Sequence, residues 1–298
     1  MKKLFLTGLP AAILAVLVAS PTAAWAATSP NLGMAGSFAI LSSTYTNTAP
    51  GTTLNGDLGY TTPPAVAATV NGTIFSPPSS KYSTAGTDQG SALSSLASQA
   101  CTFTFPAGAV DLATDTTHGT VGIYAPGVYC TAASSAASIG AAGITLTGSG
   151  TFIFRVQGAL TTVANSAVRT ASGASACNVF WTPIAATTLG ANSTFVGTDI
   201  DASGITIGDT ITWTGQALAF GGTVSTVRDT ITVGTCAATP SPTPSPTAAA
   251  PGVPPTGGAS APGGLSSITI GIVLLISGTL IGSTVLVRRR QARPGRMR

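Results

Sequence analysis

The sequence has no glutamate, one histidine and few charged residues of any kind. Charged side chains make up 7% of its 298 residues, whereas about 25% is usual for a soluble globular domain. The composition therefore argues against an ordinary cytosolic protein. The missing glutamate is a strong helix former, and threonine, serine and glycine dominate in its place, which argues against a helix-rich fold.

The basic residues are concentrated at the two ends of the chain. Between Lys3 and Arg288 only four basic residues remain, against eight aspartates, so the net charge of this middle part is −4. The basic surface that nucleic-acid binding requires is therefore excluded there.

The N-terminal segment 1–26 resembles a secretory signal peptide. Lys2 and Lys3 precede an apolar run from Leu4 to Val18, and Ala24-Trp25-Ala26 matches a small-x-small cleavage site. We expect the mature protein to begin near Ala27.

A second hydrophobic segment lies near the C-terminus. Residues 265–287 are uncharged, and as a helix they would span roughly 34 Å, enough for a bilayer core of about 30 Å. The six arginines of the tail, residues 288–298, follow at once and predict a cytoplasmic C-terminus. The alternative is a buried core helix.

Residues 237–264 form a stretch rich in proline, threonine, serine and glycine, which predicts an extended stalk of at most roughly 80 Å. Within it, residues 253–257 (Val-Pro-Pro-Thr-Gly) resemble the Leu-Pro-x-Thr-Gly cell-wall sorting signal, with valine in place of leucine. Cleavage between Thr256 and Gly257 would attach the protein to peptidoglycan, and an uncleaved membrane anchor is the alternative. Either outcome predicts display on the outer face of the cell.

The displayed part is one domain of residues 27–236, which contains all four cysteines. Export favours disulfides, and four cysteines allow three pairings. The favoured pairing joins Cys101 to Cys130, closing a local loop, and Cys177 to Cys236, fixing the last strand to the body.

Metal and catalytic sites are weakly indicated. There is no Cys-x-x-Cys, and His118 is the only histidine, so we expect no metal site and no cofactor. Asp199 and Asp201 stand two apart on a predicted strand, as paired carboxylates do in some β-helical hydrolases, but such residues more often cap turns. We therefore expect a protein that is not an enzyme.

A short repeat appears near the end of the domain. Phe195, Trp213 and Ile231 are evenly spaced along the chain, and so are the threonines before them. Because neighbouring strand residues face opposite ways, the large residues would stack inside and the threonines outside. The predicted outer ladder, and the candidate site, consists of Thr194, Thr212, Thr214, Thr230 and Thr232, with Val196 beside them.

Earlier segments alternate like strands but do not keep the register of this repeat, so the predicted β-solenoid is irregular. A solenoid coil has three faces, and ladders containing Thr145 and Thr147, or Thr161 and Thr162, remain alternative sites. Residues 83–100 lack β-branched side chains after Thr87 and predict one helix, packed by Leu93 and Leu96.

The sequence resembles a known family, the bacterial and fungal ice-binding proteins. The resemblance rests on blocks that fall in family order across nearly the whole domain: residues 31–41, 56–59, 70–74, 125–130, 152–155, 176–181 and 215–219. One block departs from the pattern, because Gln216 stands where many relatives have arginine.

The resemblance implies an all-β, right-handed β-solenoid of three faces with a long α-helix alongside, and an N-terminal strand lying beside the C-terminal coils. It also implies a monomer that adsorbs to ice through a flat array of threonine, serine and alanine. The alternative is an adhesin on the same scaffold that binds polysaccharide or other cells. A groove lined by tryptophan or tyrosine would favour that alternative, and the pattern does not assign Trp181 to the interior.

Overall fold

Short parallel strands wind around one long core in residues 26–235, the part of the chain that this computed structural model describes. The strands are β1 Phe38–Asn47, β2 Thr53–Asn55, β3 Asp57–Gly59, β4 Thr69–Val70, β5 Ile74–Phe75, β6 Phe103–Thr104, β7 Val110–Asp111, β8 Ile123–Tyr124, β9 Gly127–Cys130, β10 Ala137–Ile139, β11 Ile144–Thr147, β12 Phe152–Val156, β13 Leu160–Thr162, β14 Val168–Ala171, β15 Val179–Pro183, β16 Thr187–Leu189, β17 Thr194–Ile200, β18 Ile205–Ile207, β19 Thr212–Thr226 and β20 Thr230–Thr232. The helix α1 is Ser80–Ala97, and two 3₁₀ turns occupy Gly33–Ser37 and Ala176–Asn178.

The strands form the three faces of a solenoid. One face, the helix-covered sheet, has the order β6-β9-β12-β15-β17-β19-β1-β3-β5. A second runs β7-β10-β13-β16-β18 and continues onto the distal parts of β19 and β1. The third joins the first residues of β17 and β19 to β20, β2 and β4, and the bridge from Ala167 to Thr194 places the small sheet of β14, β11 and β8 beside them. The predicted all-β solenoid is confirmed.

The coils differ in length, as predicted from the missing register. Leu160 pairs with Thr187, which in turn pairs with Ile205, so the first of these two coils is longer than the second. The regular register near the end of the domain is confirmed, because Thr194 pairs with Thr212 and Thr212 with Thr230.

The N-terminal strand lies among the C-terminal coils, as the family resemblance implied. Strand β1 pairs with β19 on one side and β3 on the other. Buried polar groups hold this junction: the hydroxyl groups of Tyr45 and Thr226 lie 2.8 Å apart, and Thr226 also donates to the side-chain oxygen of Asn47.

A column of aromatic rings fills the core. Phe154 stacks on Trp181 with ring centroids 4.2 Å apart, and the column continues through Phe195 to Trp213. Trp181, which the sequence pattern left unassigned, is fully buried, and its indole N–H donates to the Val196 carbonyl at 2.9 Å. This tryptophan is therefore not available to line a sugar-binding groove.

Helix α1 covers the outer side of the helix-covered sheet. It begins and ends slightly earlier than predicted, and it packs through Leu96, which is buried, and Leu93, which is partly buried. Its approach is close, because a Cβ at Gly86 would lie 2.5 Å from the Phe220 ring. Serine, threonine and glycine favour helices weakly, so this contact, rather than intrinsic propensity, stabilises α1.

A disulfide joins Cys101, just after α1, to Cys130 at the end of β9. Cys177 is also disulfide-bonded, but its expected partner, Cys236, lies outside the described residues. Outside them too are residues 1–25 of the predicted signal peptide, the stalk, the sorting-like motif, the hydrophobic segment and the arginine tail. Among residues 26–235, no helix has the length and hydropathy needed to cross a bilayer.

Candidate functional site

Five threonines form a straight row on the third face of the solenoid. Thr194, Thr212 and Thr230 lie in register, as predicted, and the row continues onto Thr53 of β2 and Thr69 of β4. All five side chains are exposed or partly exposed. Within the described residues, none of their hydroxyl groups bonds to another protein atom, so each can bind water.

A second row runs parallel to the first, two residues further along each strand. It contains Val196, Thr214, Thr232 and Asn55, again in register. The Asn55 amide donates to the Thr232 hydroxyl at 2.9 Å, and Asn71 donates to Asn55 at 2.7 Å. We call these two rows together the threonine face. Neither row contains a charged side chain.

The threonine face lies on a rigid base. Phe195, Trp213, Ile231 and Leu54 alternate with the outer residues and are buried beneath them. The Trp213 indole N–H donates to the Gly197 carbonyl at 2.8 Å. At the following corner, Gly215 has φ +150° and a Cβ there would lie 1.9 Å from the Gly197 oxygen, so only glycine fits.

Two members of the row, Thr53 and Thr69, were missed in the sequence. They lie in the first third of the chain, and their spacing is shorter than that of the C-terminal repeat. A signal was present, because Thr53-Leu54-Asn55 and Thr69-Val70-Asn71 repeat the threonine-apolar-polar pattern of residues 212–214. That pattern places both threonines on the same face once β2 is paired with β20.

The second face of the solenoid carries another polar row, which we call the serine-threonine face. Its members lie in register and point outward: Asp111, Ser138, Thr161, Thr188, Thr206, Ser225 and Thr46. Of the alternative pair predicted from sequence, Thr161 belongs to this row. Thr162 points inward, is only 7% exposed and accepts a hydrogen bond from the Gly190 N–H.

The other alternative ladder, Thr145 and Thr147, is interrupted. Both residues lie on β11, in a separate sheet of β8, β11 and β14. Thr145 stands between Ile123 and Arg169, and Thr147 is opposite Ala171. An apolar residue and a charged one therefore replace threonine on either side of Thr145.

Most charged groups near the threonine face are paired or buried, but Arg169, two residues after Ala167 on the adjoining strand β14, is exposed. At the corner beside Thr212 and Thr230, Arg228 forms an exposed ion pair with Asp209, which lowers the pKa of that carboxyl. The adjacent Asp229 is buried and accepts hydrogen bonds from the N–H groups of Ile211 and Val227. Burial raises its pKa to about 6.

The two aspartates considered for catalysis are inaccessible to a polymer substrate. Asp199 is 0% and Asp201 is 1% exposed, and Asp201 accepts a hydrogen bond from the Ser203 N–H at 2.7 Å. Burial raises the pKa of both carboxyls. No group of three or more histidine, cysteine or acidic side chains in residues 26–235 is arranged to hold a metal ion.

Gln216, where the sequence departs from the family pattern, lies away from both exposed faces. Its amide donates to the carbonyl oxygens of Ala35 and Phe38, at 2.9 and 2.8 Å, and its oxygen accepts from Thr198. The departure from the family pattern therefore lies where the N-terminal segment attaches to the solenoid.

Comparison with solved structures gives consistent neighbours. An ice-binding protein from the Antarctic ascomycete Antarctomyces psychrotrophicus is 26% identical, with 69% of this chain and 98% of that one covered and a TM-score of 0.60. An ice-binding protein from an Antarctic Flavobacteriaceae bacterium is 26% identical over 71% of this chain and 48% of that one, with a TM-score of 0.60. One from an Antarctic biological consortium shares the fold, at 24% identity, 76% and 96% coverage and a TM-score of 0.61.

No curated protein matches the chain. The family described as Ice-binding-like matches residues 33–232, which is most of the exported domain predicted from the sequence and includes both exposed faces. Together with the solenoid, the helix beside it and the inserted N-terminal strand, this match establishes that the chain belongs to the Ice-binding-like family.

Proposed function

We propose that this domain adsorbs to ice through the threonine face. The observation that carries the proposal is the row of five threonines in register across β17, β19, β20, β2 and β4. The names of the related structures, which are ice-binding proteins, support it.

The geometry suits an ordered layer of water. Strands place side chains about 4.8 Å apart across the sheet and about 6.7 Å apart along it, which is comparable to repeat distances in ice. Threonine is stiff at χ1, so little rotamer entropy is lost when the face adsorbs. Its methyl groups can order water into cages, and its free hydroxyl groups can anchor those cages.

The alternative function, an adhesin that binds polysaccharide, receives less support. Sugar sites commonly use exposed aromatic rings. Among the described residues, the large hydrophobic side chains that are exposed are aliphatic: Met34, Ile74, Val121, Ile123, Val163 and Ile184. The buried aspartate pair likewise supports a binding protein that is not an enzyme.

The test is ice-affinity partitioning together with thermal hysteresis on residues 27–236. We expect the domain to enter a growing ice phase and to depress its growth temperature. A folded domain that is excluded from ice like an ordinary protein would refute the proposal and favour the adhesin.

We further propose that the domain is exported and held as a monomer at the outer face of the cell. The predicted signal peptide, hydrophobic segment and arginine tail support this. Cleavage between Thr256 and Gly257 would give a peptidoglycan-linked protein. Fractionation of wall and membrane, with and without Thr256→Ala, tests it: the variant should move the protein from wall to membrane, whereas recovery in the cytoplasm would exclude export.

A further inference from the structure

The interior of the solenoid contains a polar cluster that adsorption to ice does not use. Asp199 belongs to an inward row whose other members, in register, are Phe154, Trp181, Ala217 and Ile40. One carboxylate thus replaces an apolar side chain in the middle of the core. A buried ionised carboxylate is costly unless it is paired or bound to a metal, so Asp199 must either keep its proton or have such a partner.

Three side chains meet at this point. Burial and the charge of Asp201 raise the pKa of the Asp199 carboxyl, and the Thr187 hydroxyl group lowers it. Burial also raises the pKa of Asp201, and Thr187 again lowers it. Thr187 is 0% exposed, and its N–H bonds to the Gly204 carbonyl at 3.0 Å, which fixes it against the corner that contains Asp201.

Several oxygen atoms of this cluster lack a well-formed hydrogen bond. Both carboxylate oxygens of Asp199, one of Asp201 and the hydroxyl oxygen of Thr187 are buried without a hydrogen bond of ordinary geometry. Native structures rarely leave such groups unsatisfied, and each one calls for an explanation. Four buried oxygens without a well-formed hydrogen bond, from three different side chains, form the beginning of a coordination shell.

No described basic side chain neutralises the two carboxylates. The groups that act on them are each other, Thr187 and backbone N–H groups. Arg155 lines the same surface groove as Asp201, but its guanidinium donates to the Gln99 carbonyl at 2.8 Å. That groove lies between α1 and the corner at residues 201–203, and Asp201 is part of its lining.

We propose that Asp199, Asp201 and Thr187 bind a divalent cation of the calcium class inside the solenoid. An all-oxygen donor set selects hard cations, and a charge of +2 balances two carboxylates. Calcium fits better than magnesium because it tolerates irregular geometry, whereas magnesium demands an octahedron and retains several waters. Backbone carbonyls and water would complete the shell. This proposal departs from the expectation from sequence that the chain has no metal site.

Thermal unfolding of the full-length protein in detergent, at pH 7.5, tests the proposal with calcium chloride or EGTA as the only variable. A ligand that binds only the folded state stabilises it, and we expect calcium to raise the melting temperature by roughly 5 °C. The shift should vanish in Asp199→Asn and persist in Asp209→Asn, which removes an exposed carboxylate that the cluster does not contain. A wild-type melting temperature unaffected by calcium would overturn the proposal and indicate that the pair holds only a proton.

If Asp199→Asn fails to fold, Thr187→Val gives a second test, because it keeps both carboxylates and removes one oxygen. We expect a smaller calcium shift in this variant. Terbium provides a direct readout, since Trp181 is in register with Asp199 and should sensitise emission from a bound ion. Sensitised emission that calcium displaces in the wild type supports the site. Its absence, or equal emission from Thr187→Val with an unchanged calcium shift, would overturn it.

Discussion

The two exposed faces of the solenoid have similar compositions but different organisation. The threonine face has one residue type along its main row, and its first three members are evenly spaced along the chain. The serine-threonine face is longer but mixed: serine occurs at Ser138 and Ser225, and Asp111 ends the row. The difference shows that threonine content alone does not identify an adsorbing surface. Uniformity of the main row distinguishes the two faces.

The hydroxyl groups also differ between the faces. On the serine-threonine face, Ser138 donates to the Val110 carbonyl, and Thr46 donates to Ser225 at 2.7 Å. These donors are occupied within the protein, so part of that face cannot anchor water through them. The hydroxyl groups of the five threonines in the main row of the threonine face make no such bonds to described residues. We therefore assign adsorption to the threonine face, and the following experiments test that assignment.

The largest effect is expected from a bulky residue in the middle of the threonine row. Thr212→Tyr should abolish thermal hysteresis, because the ring would hold the sheet away from the crystal. Its stability should change by no more than about 0.5 kcal/mol, as is usual at the surface. Thr188→Tyr, on the serine-threonine face, and Thr145→Tyr are the matched controls and should retain activity. Loss in Thr188→Tyr with activity preserved in Thr212→Tyr would reverse the assignment.

The base of the threonine face can be broken at Gly215. A Cβ there would collide with the Gly197 oxygen, so Gly215→Ala should lower stability by at least about 2 kcal/mol and the melting temperature by roughly 5 °C or more. Gly90→Ala is the control, because nothing lies within 4 Å of its Cβ, and it should be neutral or slightly stabilising. Equal melting temperatures for the two variants would contradict this account of the corner.

Buried aspartates make stability depend on pH. In the folded state the pKa of Asp229 is about 6. Burial also raises the pKa values of Asp199 and Asp201. An aspartate in the unfolded chain has a pKa of about 4. The folded protein thus binds more protons between these values, so stability falls as pH rises through that window. In EGTA we expect a melting temperature roughly 5 °C lower at pH 7 than at pH 4.5. Asp229→Asn should reduce the difference, and a melting temperature that rises with pH would contradict the assignment.

Substitutions at Thr230 separate the two parts of the threonine side chain. Thr230→Val keeps the methyl group and the stiff χ1, whereas Thr230→Ser keeps only the hydroxyl. We expect both variants to lose part of the hysteresis, with the serine variant losing more. Equivalent changes at Thr206 should have no effect on hysteresis. A serine variant as active as the wild type would show that the methyl group does not contribute.

The smallest effect is expected at the corner ion pair. Arg228 and Asp209 are exposed, and such pairs contribute little to stability. Arg228→Gln should leave both the melting temperature and the hysteresis within experimental error, at low and at high salt. A marked loss of hysteresis would extend the adsorbing surface from the threonine face to this corner.

The C-terminal coils could be predicted from sequence because their repeat is short and regular. Even spacing identified both the inner residues Phe195, Trp213 and Ile231 and the outer threonines. The earlier coils could not be predicted in this way, because loops of different length separate Thr161 from Thr188 and Thr188 from Thr206. Hydrogen bonding between the strands nevertheless keeps these residues in register. Thr53 and Thr69 were not predicted as members of the row because no local pattern reveals that β2 pairs with β20.

The buried cluster of Asp199, Asp201 and Thr187 was harder to predict from sequence than the coils. The sequence shows Asp199 and Asp201 as a pair. The alternation along β17 does not show that both faces of the strand are buried at this point. The chain there passes from the threonine face to the helix-covered sheet, where both sides are buried. Only the three-dimensional structure brings Thr187 to the same point.

The insertion of β1 between β19 and β3 has a consequence for the order in which the domain assembles. Asn55 bonds to Thr232 although the two lie near opposite ends of the domain sequence, so the threonine row closes only when those ends meet. Contacts of such high sequence separation make folding slow. In a chain synthesised from its N-terminus, Thr53 can pair with Thr69 but not with Thr230 until β20 has emerged. The row that we assign to ice is thus completed only after β20 has been synthesised, and a chain that stops before Thr230 would have two unconnected parts of the row.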